Sequence, residues 1–173
     1  MRNVIFILLA ISILACGKDD DGKPTISETK VDLITGINLL PESGPSPIRL
    51  GNPNIFIDKN IVSVYPNPVV DVLTIHSYYE ITDVWIIPAS PEKIVQDTNF
   101  EMILNSNIYS EMELTEKAFL EIDNTNSTAV PINFENLDPG YYRVFIKTNN
   151  TIMWDNILFI DDGQLADVMD FWN

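Results

Sequence analysis

Val62-Ser63-Val64-Tyr65-Pro66-Asn67-Pro68-Val69-Val70-Asp71-Val72-Leu73-Thr74-Ile75 is the stretch that decides the fold class. It opens on β-branched and aromatic residues, which suit a pleated, half-buried surface. Pro66 and Pro68 then bracket Asn67. Proline fixes φ and lacks an N–H, so it stops a strand, and asparagine favours a turn. From Asp71 to His76 the pattern alternates, with Leu73 and Ile75 on one face. Strand, turn and strand follow within one short run.

The same texture continues toward the C-terminus. Residues 82–87 read as a strand ended by Pro88 and Pro91, and further strands are expected at 93–95, 100–104, 118–122 and 131–134. Leu137-Asp138-Pro139-Gly140 is a turn in which Gly140 is expected to allow what a β-carbon would forbid. Residues 141–147 and 152–160 form the last two strands, and only 107–117 looks helical. Short strands between turn signals indicate an all-β, antiparallel sandwich over 61–160.

Upstream, residues 16–60 read as a tether. It is rich in breakers, with Pro41, Gly44, Pro45, Pro47, Gly51 and Pro53. Apolar islands at 31–40 and 55–57 interrupt it. They are expected as short strands packed on the domain, or else as a segment that orders on a partner.

Residues 1–15 have the layout of an export signal: Arg2, an apolar run from Val4 to Leu14, then Ala15-Cys16-Gly17. The run is short of the roughly 20 residues that span a bilayer. Cys16 is the only cysteine, so no disulfide staples the fold, and an exported unpaired thiol needs an explanation. An ordinary signal with an incidental cysteine, or a short uncleaved anchor, is the plainer reading.

The chain carries 10 basic and 25 acidic residues, a net charge of −15. Loss of Arg2 with the signal makes it more negative still. Such a charge argues against nucleic acid and anionic lipid surfaces as partners. Enough Ile, Val, Leu, Phe and Tyr remain for a real core, which argues against disorder.

Four segments resemble known bacterial patterns. Ile13-Leu14-Ala15-Cys16 resembles a lipoprotein lipobox, which implies cleavage before Cys16 and acylation (diacylglycerol, with palmitate) of its sulfur and new N-terminus. Residues 62–75 resemble the opening of the type IX secretion C-terminal sorting domain of Bacteroidetes. Residues 132–144, with Leu137, Gly140 and Tyr142, resemble its later hairpin. That resemblance implies an immunoglobulin-like antiparallel β-sandwich. The region between Val95 and Pro131 is longer than the family's, and its basic last strand is replaced by Ile152-Met153-Trp154-Asp155-Asn156. The fold is therefore carried over and the sorting activity is not. Lys18-Asp19-Asp20-Asp21 resembles the acidic surface-export patch of Bacteroidetes lipoproteins, against the plainer reading of a solvated charge run.

Catalytic patterns are sparse. His76 is the sole histidine and falls opposite Ile75, toward solvent. No Gly-x-Ser-x-Gly elbow, clustered zinc ligands or phosphate loop stands in the chain. Asp161-Asp162-Gly163 with Asp167, and Asp19-Asp20-Asp21-Gly22, offer carboxylates without calcium-loop spacing. Tyr78-Tyr79 and Tyr141-Tyr142 should each turn one ring outward, and with Trp85 and Trp154 such rings suit a glycan or a protein; packing within the fold is the plainer reading.

In the tail, 161–173, Leu165, Val168, Met169 and Trp172 form one helical stripe, with Phe171 beside it. So short a helix must dock, on its own body or in a partner's groove. The whole reads as a non-enzymatic lipoprotein without cofactor or metal. It is expected on the outer membrane facing the cell exterior, as an adaptor to membrane-barrel or lipoprotein partners. A surface glycan-binding module is the rival, and a hydrolase ranks third.

Overall fold

The computed structural model describes residues 31–40, 47–54, 57–93, 109–149, 151–161 and 165–172. Cys16, Lys18, Asp19, Asp20 and Asp21, and the strand expected at 100–104, lie outside the described residues. The elements are β1 (Leu33–Ile34), β2 (Gly36–Leu39), β3 (Ile48–Gly51), β4 (Val62–Tyr65), β5 (Val72–Pro91), α1 (Glu111–Lys117), β6 (Leu120–Ile122), β7 (Ser127–Asn133), β8 (Gly140–Thr148), β9 (Thr151–Phe159) and α2 (Leu165–Trp172). The protein is mostly β. Seven strands form one mixed sheet, and β2 and β3 form a separate two-stranded ladder.

Strand β5 organises the sheet. It absorbs two strands expected separately, at 71–76 and 82–87, and runs for 20 residues. Residues 72–77 pair with β4 and β7. Residues 81–91 pair with β8, β6 and β1. The register slips between His76 and Ile81, an irregularity of the kind that lets one strand bend and change neighbours.

Pro88 was expected to end the strand, yet β5 passes through it. Ile86 O accepts from Phe119 N on the β6 side, and Ser90 N donates to Asp32 O beside β1. By the two-residue period of a strand, the donor that Pro88 lacks would point into the gap between β6 and β1. No ladder bond is lost there.

The main core lies between the two sets of partners. Val62, Val64, Leu73, Ile75, Val130 and Ile132 come from one set, and Val84, Ile86, Val144, Ile146 and Ile157 from the other. Each such side chain, fully buried, stabilises by about 1.5–3 kcal/mol at most. Leu73 and Ile75 do share the buried face and His76 is exposed, as alternation required.

The other face of β5, β8 and β9 is covered differently. Arg143 sits at its centre, between Ile87 on β5 and Asn156 on β9. Residues 33–40 cross above it. Arg143 donates to Leu33 O, Asn156 Nδ2 donates to Gly36 O at 2.9 Å, and Asn67 Nδ2 donates to Asn38 O at 2.7 Å. Leu40 and Asn67 then exchange backbone hydrogen bonds. Three side chains thus hold the carbonyls of Leu33, Gly36 and Asn38 along one strap.

The described part of the segment read as tether is therefore part of the folded body. Val31, Ile34 and Ile37 are fully buried. Gly36 and Gly51 pair across β2 and β3. β1 joins the end of β5 in parallel, so the sheet is not antiparallel throughout.

Asn67, bracketed by prolines, is buried. It also donates to Asn156 O at 2.9 Å and accepts from Leu158 N at 3.0 Å. Asn54 Nδ2 donates to Trp154 O at 2.8 Å, and Val69 bonds Leu158 O and Ile160 N. The outer edge of β9 is sealed by these groups, which prevents strand addition there. On β7, Phe134 N faces Asp71 O, so the odd positions point outward. Ala129 N is taken by Ser127 Oγ at 3.2 Å, and Pro131 has no N–H to offer.

Helix α1 is short and well capped. Ser110 accepts from Glu113 N, acidic residues fill the first turn, and Lys117 stands in the last. Leu114 anchors it among Trp85, Phe145 and Trp154.

Candidate functional site

The stripe read in the tail is helix α2, and it docks on its own body. Trp172 is buried, with Val168 and Met169 packed beside Ile34, Ile37, Leu50 and Leu158. Its Nε1 donates to Tyr141 Oη at 3.0 Å, and the two rings meet edge-on with centroids 6.1 Å apart.

Gly51 makes room for that ring. It has φ 62°, and a β-carbon there would lie 2.6 Å from Trp172 Cε3. Gly140, where the sequence suggested such a need, has φ 158°, a backbone conformation that a residue with a β-carbon rarely adopts, although the space around it is open. Burial pushes the Tyr141 hydroxyl above its ordinary range, and the hydrogen bond from Trp172 opposes that shift.

Docking leaves Leu165 and Phe171 exposed, each at 39 %. Phe171 borders a shallow, open depression with Pro91, Tyr141, Asp167 and Val168. Lys93 Nζ stands 5.8 Å from the Phe171 ring centroid, close enough for a cation–π contact. Of the five tail residues singled out, Trp172, Val168 and Met169 are thus engaged with the body, while Leu165 and Phe171 face outward. Lys93 was missed because nothing in the sequence brings it to the tail.

The aromatic pairs distribute unevenly. Trp85 and Trp154 are buried, so they supply no exposed ring. Trp85 Nε1 donates to Glu121 Oε1 at 2.6 Å. The Arg143 guanidinium lies 4.1 Å from the Trp154 ring centroid. Tyr142 is buried and its hydroxyl donates to Asp138 O at 2.6 Å. Burial raises its pKa first, and nearby Asp138 adds to that.

Tyr78 and Tyr79 were expected to face opposite ways, yet both are exposed. They lie where β5 slips register, so simple alternation fails. Their rings meet edge-on at 5.1 Å. His76 stacks on Tyr65 at 5.6 Å and 5°. Sequence spacing missed Tyr65, which only the β4–β5 register brings to His76.

Two buried charges lie behind these surfaces. Desolvation lowers the Arg143 pKa, partly opposed by Tyr109, Asp32 and Asp155. Arg143 also bonds Asn156 Oδ1 at 3.1 Å and Tyr109 Oη at 3.4 Å. Desolvation raises the Asp155 carboxyl above its ordinary value of 3.8, although its ion pair with Lys59 pulls it down. Both groups are tied into the framework and neither lines the depression beside Phe171.

Among the described residues, no group of three or more His, Cys, Asp or Glu is placed to hold a metal ion. Among them also, no helix is long and apolar enough to cross a membrane. No protein-family model matches the chain, and comparison with curated proteins returns no match.

Proposed function

We propose that this chain is a non-enzymatic outer-membrane lipoprotein, facing the cell exterior, whose β body acts as an adaptor or accessory subunit of an outer-membrane protein complex. Acyl groups on Cys16 would hold it at the membrane, at about 0.8 kcal/mol per buried CH₂. Lys18-Asp19-Asp20-Asp21 would direct it outward. The observation that carries the reading is the pairing of this leader with a body that docks its own last helix yet leaves Leu165 and Phe171 partly exposed, the latter beside a shallow depression. Exposed rings of this kind anchor protein contacts.

An immunoglobulin-like sandwich is the finer reading of the fold. Its support is the core packed between two sets of β5 partners and the Tyr142 hydroxyl bound to a carbonyl four residues back. A tyrosine corner of immunoglobulin-type domains makes a similar bond. The hairpin resembling the sorting domain supplies that tyrosine.

Mass spectrometry of the protein from native membranes tests the anchor: an acylated Cys16 is expected, and an unmodified thiol on an exported chain overturns it. Mild detergent extraction followed by chemical cross-linking tests the adaptor role. A discrete complex with a membrane barrel is expected, reduced at least fivefold by Phe171→Ala with Leu165→Ala. Recovery solely as a monomer overturns the role without touching the anchor.

A further inference from the structure

The outer surface of β4 and the first part of β5 carries four aromatic rings. Tyr78 is 75 % exposed and Tyr79 44 %. The ladder with β4 stays regular as far as Tyr78, whose N donates to Ile61 O at 2.8 Å, and alternation fails only beyond it; His76 and Tyr78, two residues apart, therefore share a face about 7 Å apart. Tyr65 is paired with Thr74, which makes it the diagonal neighbour that stacks on His76. Tyr79 turns to meet Tyr78 at 86° between ring planes, forming a corner instead of a flat patch.

We propose that this face is a stacking site for a neutral polysaccharide, with Tyr65, His76, Tyr78 and Tyr79 supplying the ring faces. It goes beyond the adaptor reading and stands without it. The C–H faces of a pyranose are apolar and settle on the negative face of an aromatic ring. Sugar hydroxyls need partners, and Ser63 and Thr74, paired with His76 and Tyr65 across β4 and β5, stand beside the rings.

Charge narrows the class. Residues 60–92 contain no lysine or arginine, nor do residues 127–133 of the flanking strand. With a net charge of −15, the protein repels anionic polymers, and ring stacking, which needs no charge on the ligand, suits an uncharged one. Strand addition at the β7 edge, across β5 from β4, meets Pro131 and the Ser127–Ala129 bond. A helix needs a groove, and the depression described above lies elsewhere, at Phe171.

Affinity electrophoresis of the full chain through gels containing a soluble β-glucan, a galactomannan or glycogen tests the proposal, with polygalacturonate as the anionic control. Retardation by at least one neutral polymer and none by polygalacturonate is expected. Tyr78→Ala with Tyr79→Ala should weaken the retarding polymer's binding at least tenfold, whereas Tyr78→Phe, which keeps the ring, should hold it within threefold. Both variants change exposed side chains, and near-ultraviolet circular dichroism checks that the fold is kept. No retardation by any of the three polymers overturns the proposal. So does equal binding by wild type and the double variant, or a photo-cross-linker at position 78 that captures polypeptide while no polymer binds.

Discussion

The two faces of the β5–β8–β9 layer are built by different physics. The inner face is Val84, Ile86, Val144, Ile146 and Ile157 against aliphatic residues of β4, β7 and the start of β5. Its strength comes from apolar area removed from water. The outer face has a guanidinium at its centre and an amide beside it, and both grip the backbone of residues 33–40. Apolar clusters flank these groups on both sides, but buried polar groups are costly unless bonded, so the centre of this face depends on a completed network. The inner face tolerates gradual change; the outer face should fail as a unit.

Arg143→Ala should break the outer face most severely. Loss of the guanidinium leaves Leu33 O and Asn156 Oδ1 without their donor, and removal of one member of a buried charged network costs about 3–5 kcal/mol. Leu73→Ala on the inner face costs a similar about 2–5 kcal/mol. Hydrogen exchange distinguishes them. Arg143→Ala should expose amides of β1 and β2 well before those of β7, while Leu73→Ala should lower protection of all strands together. Uniform loss in both variants would erase the contrast.

Trp172→Ala should follow, at about 3 kcal/mol, because the ring is buried but peripheral. Denaturant titration should show the loss, and proteolysis should release α2 without cleaving β5. Asn67→Ala should cost about 1–3 kcal/mol, from the orphaned Leu158 N and two carbonyls, measured by the same titration.

The smallest effect is one of pH. Asp155 has its folded pKa raised above 3.8, so the native state binds its proton more readily than the unfolded chain does. The stability this group contributes is present at low pH and is lost as pH rises from 3.8 through the raised value. Wild type should therefore gain on Asp155→Asn as pH falls through that window, read from melting temperatures of the pair. A constant difference across the window would show that Lys59 offsets the desolvation fully.

Alternation made the inner face legible. Leu73 and Ile75 announced their side of β5, and residues 141–147 and 152–160 announced the hairpin of β8 and β9. Pro88 misled because its cost depends on whether a neighbouring strand needs its N–H, which is a property of the sheet. The reading of residues 31–40 as tether misled in the same way: the amides and guanidinium that hold this strap lie as far as 120 residues away in sequence. In the tail, the helical stripe was legible, but the site it occupies depends on Gly51 leaving space for a ring.

The sequence by itself determined the β class, the turn around Asn67, the short C-terminal helix and the expectation of a lipid on Cys16. Each rests on neighbours in the chain, where periodicity and turn chemistry operate. Only the tertiary structure decided that residues 31–40 and 47–54 join the body, that Trp85 and Trp154 are hidden while Tyr78 and Tyr79 are not, and that α2 folds back. These outcomes depend on side chains bonding or filling space across many strands, and such partnerships leave no period in the sequence to read.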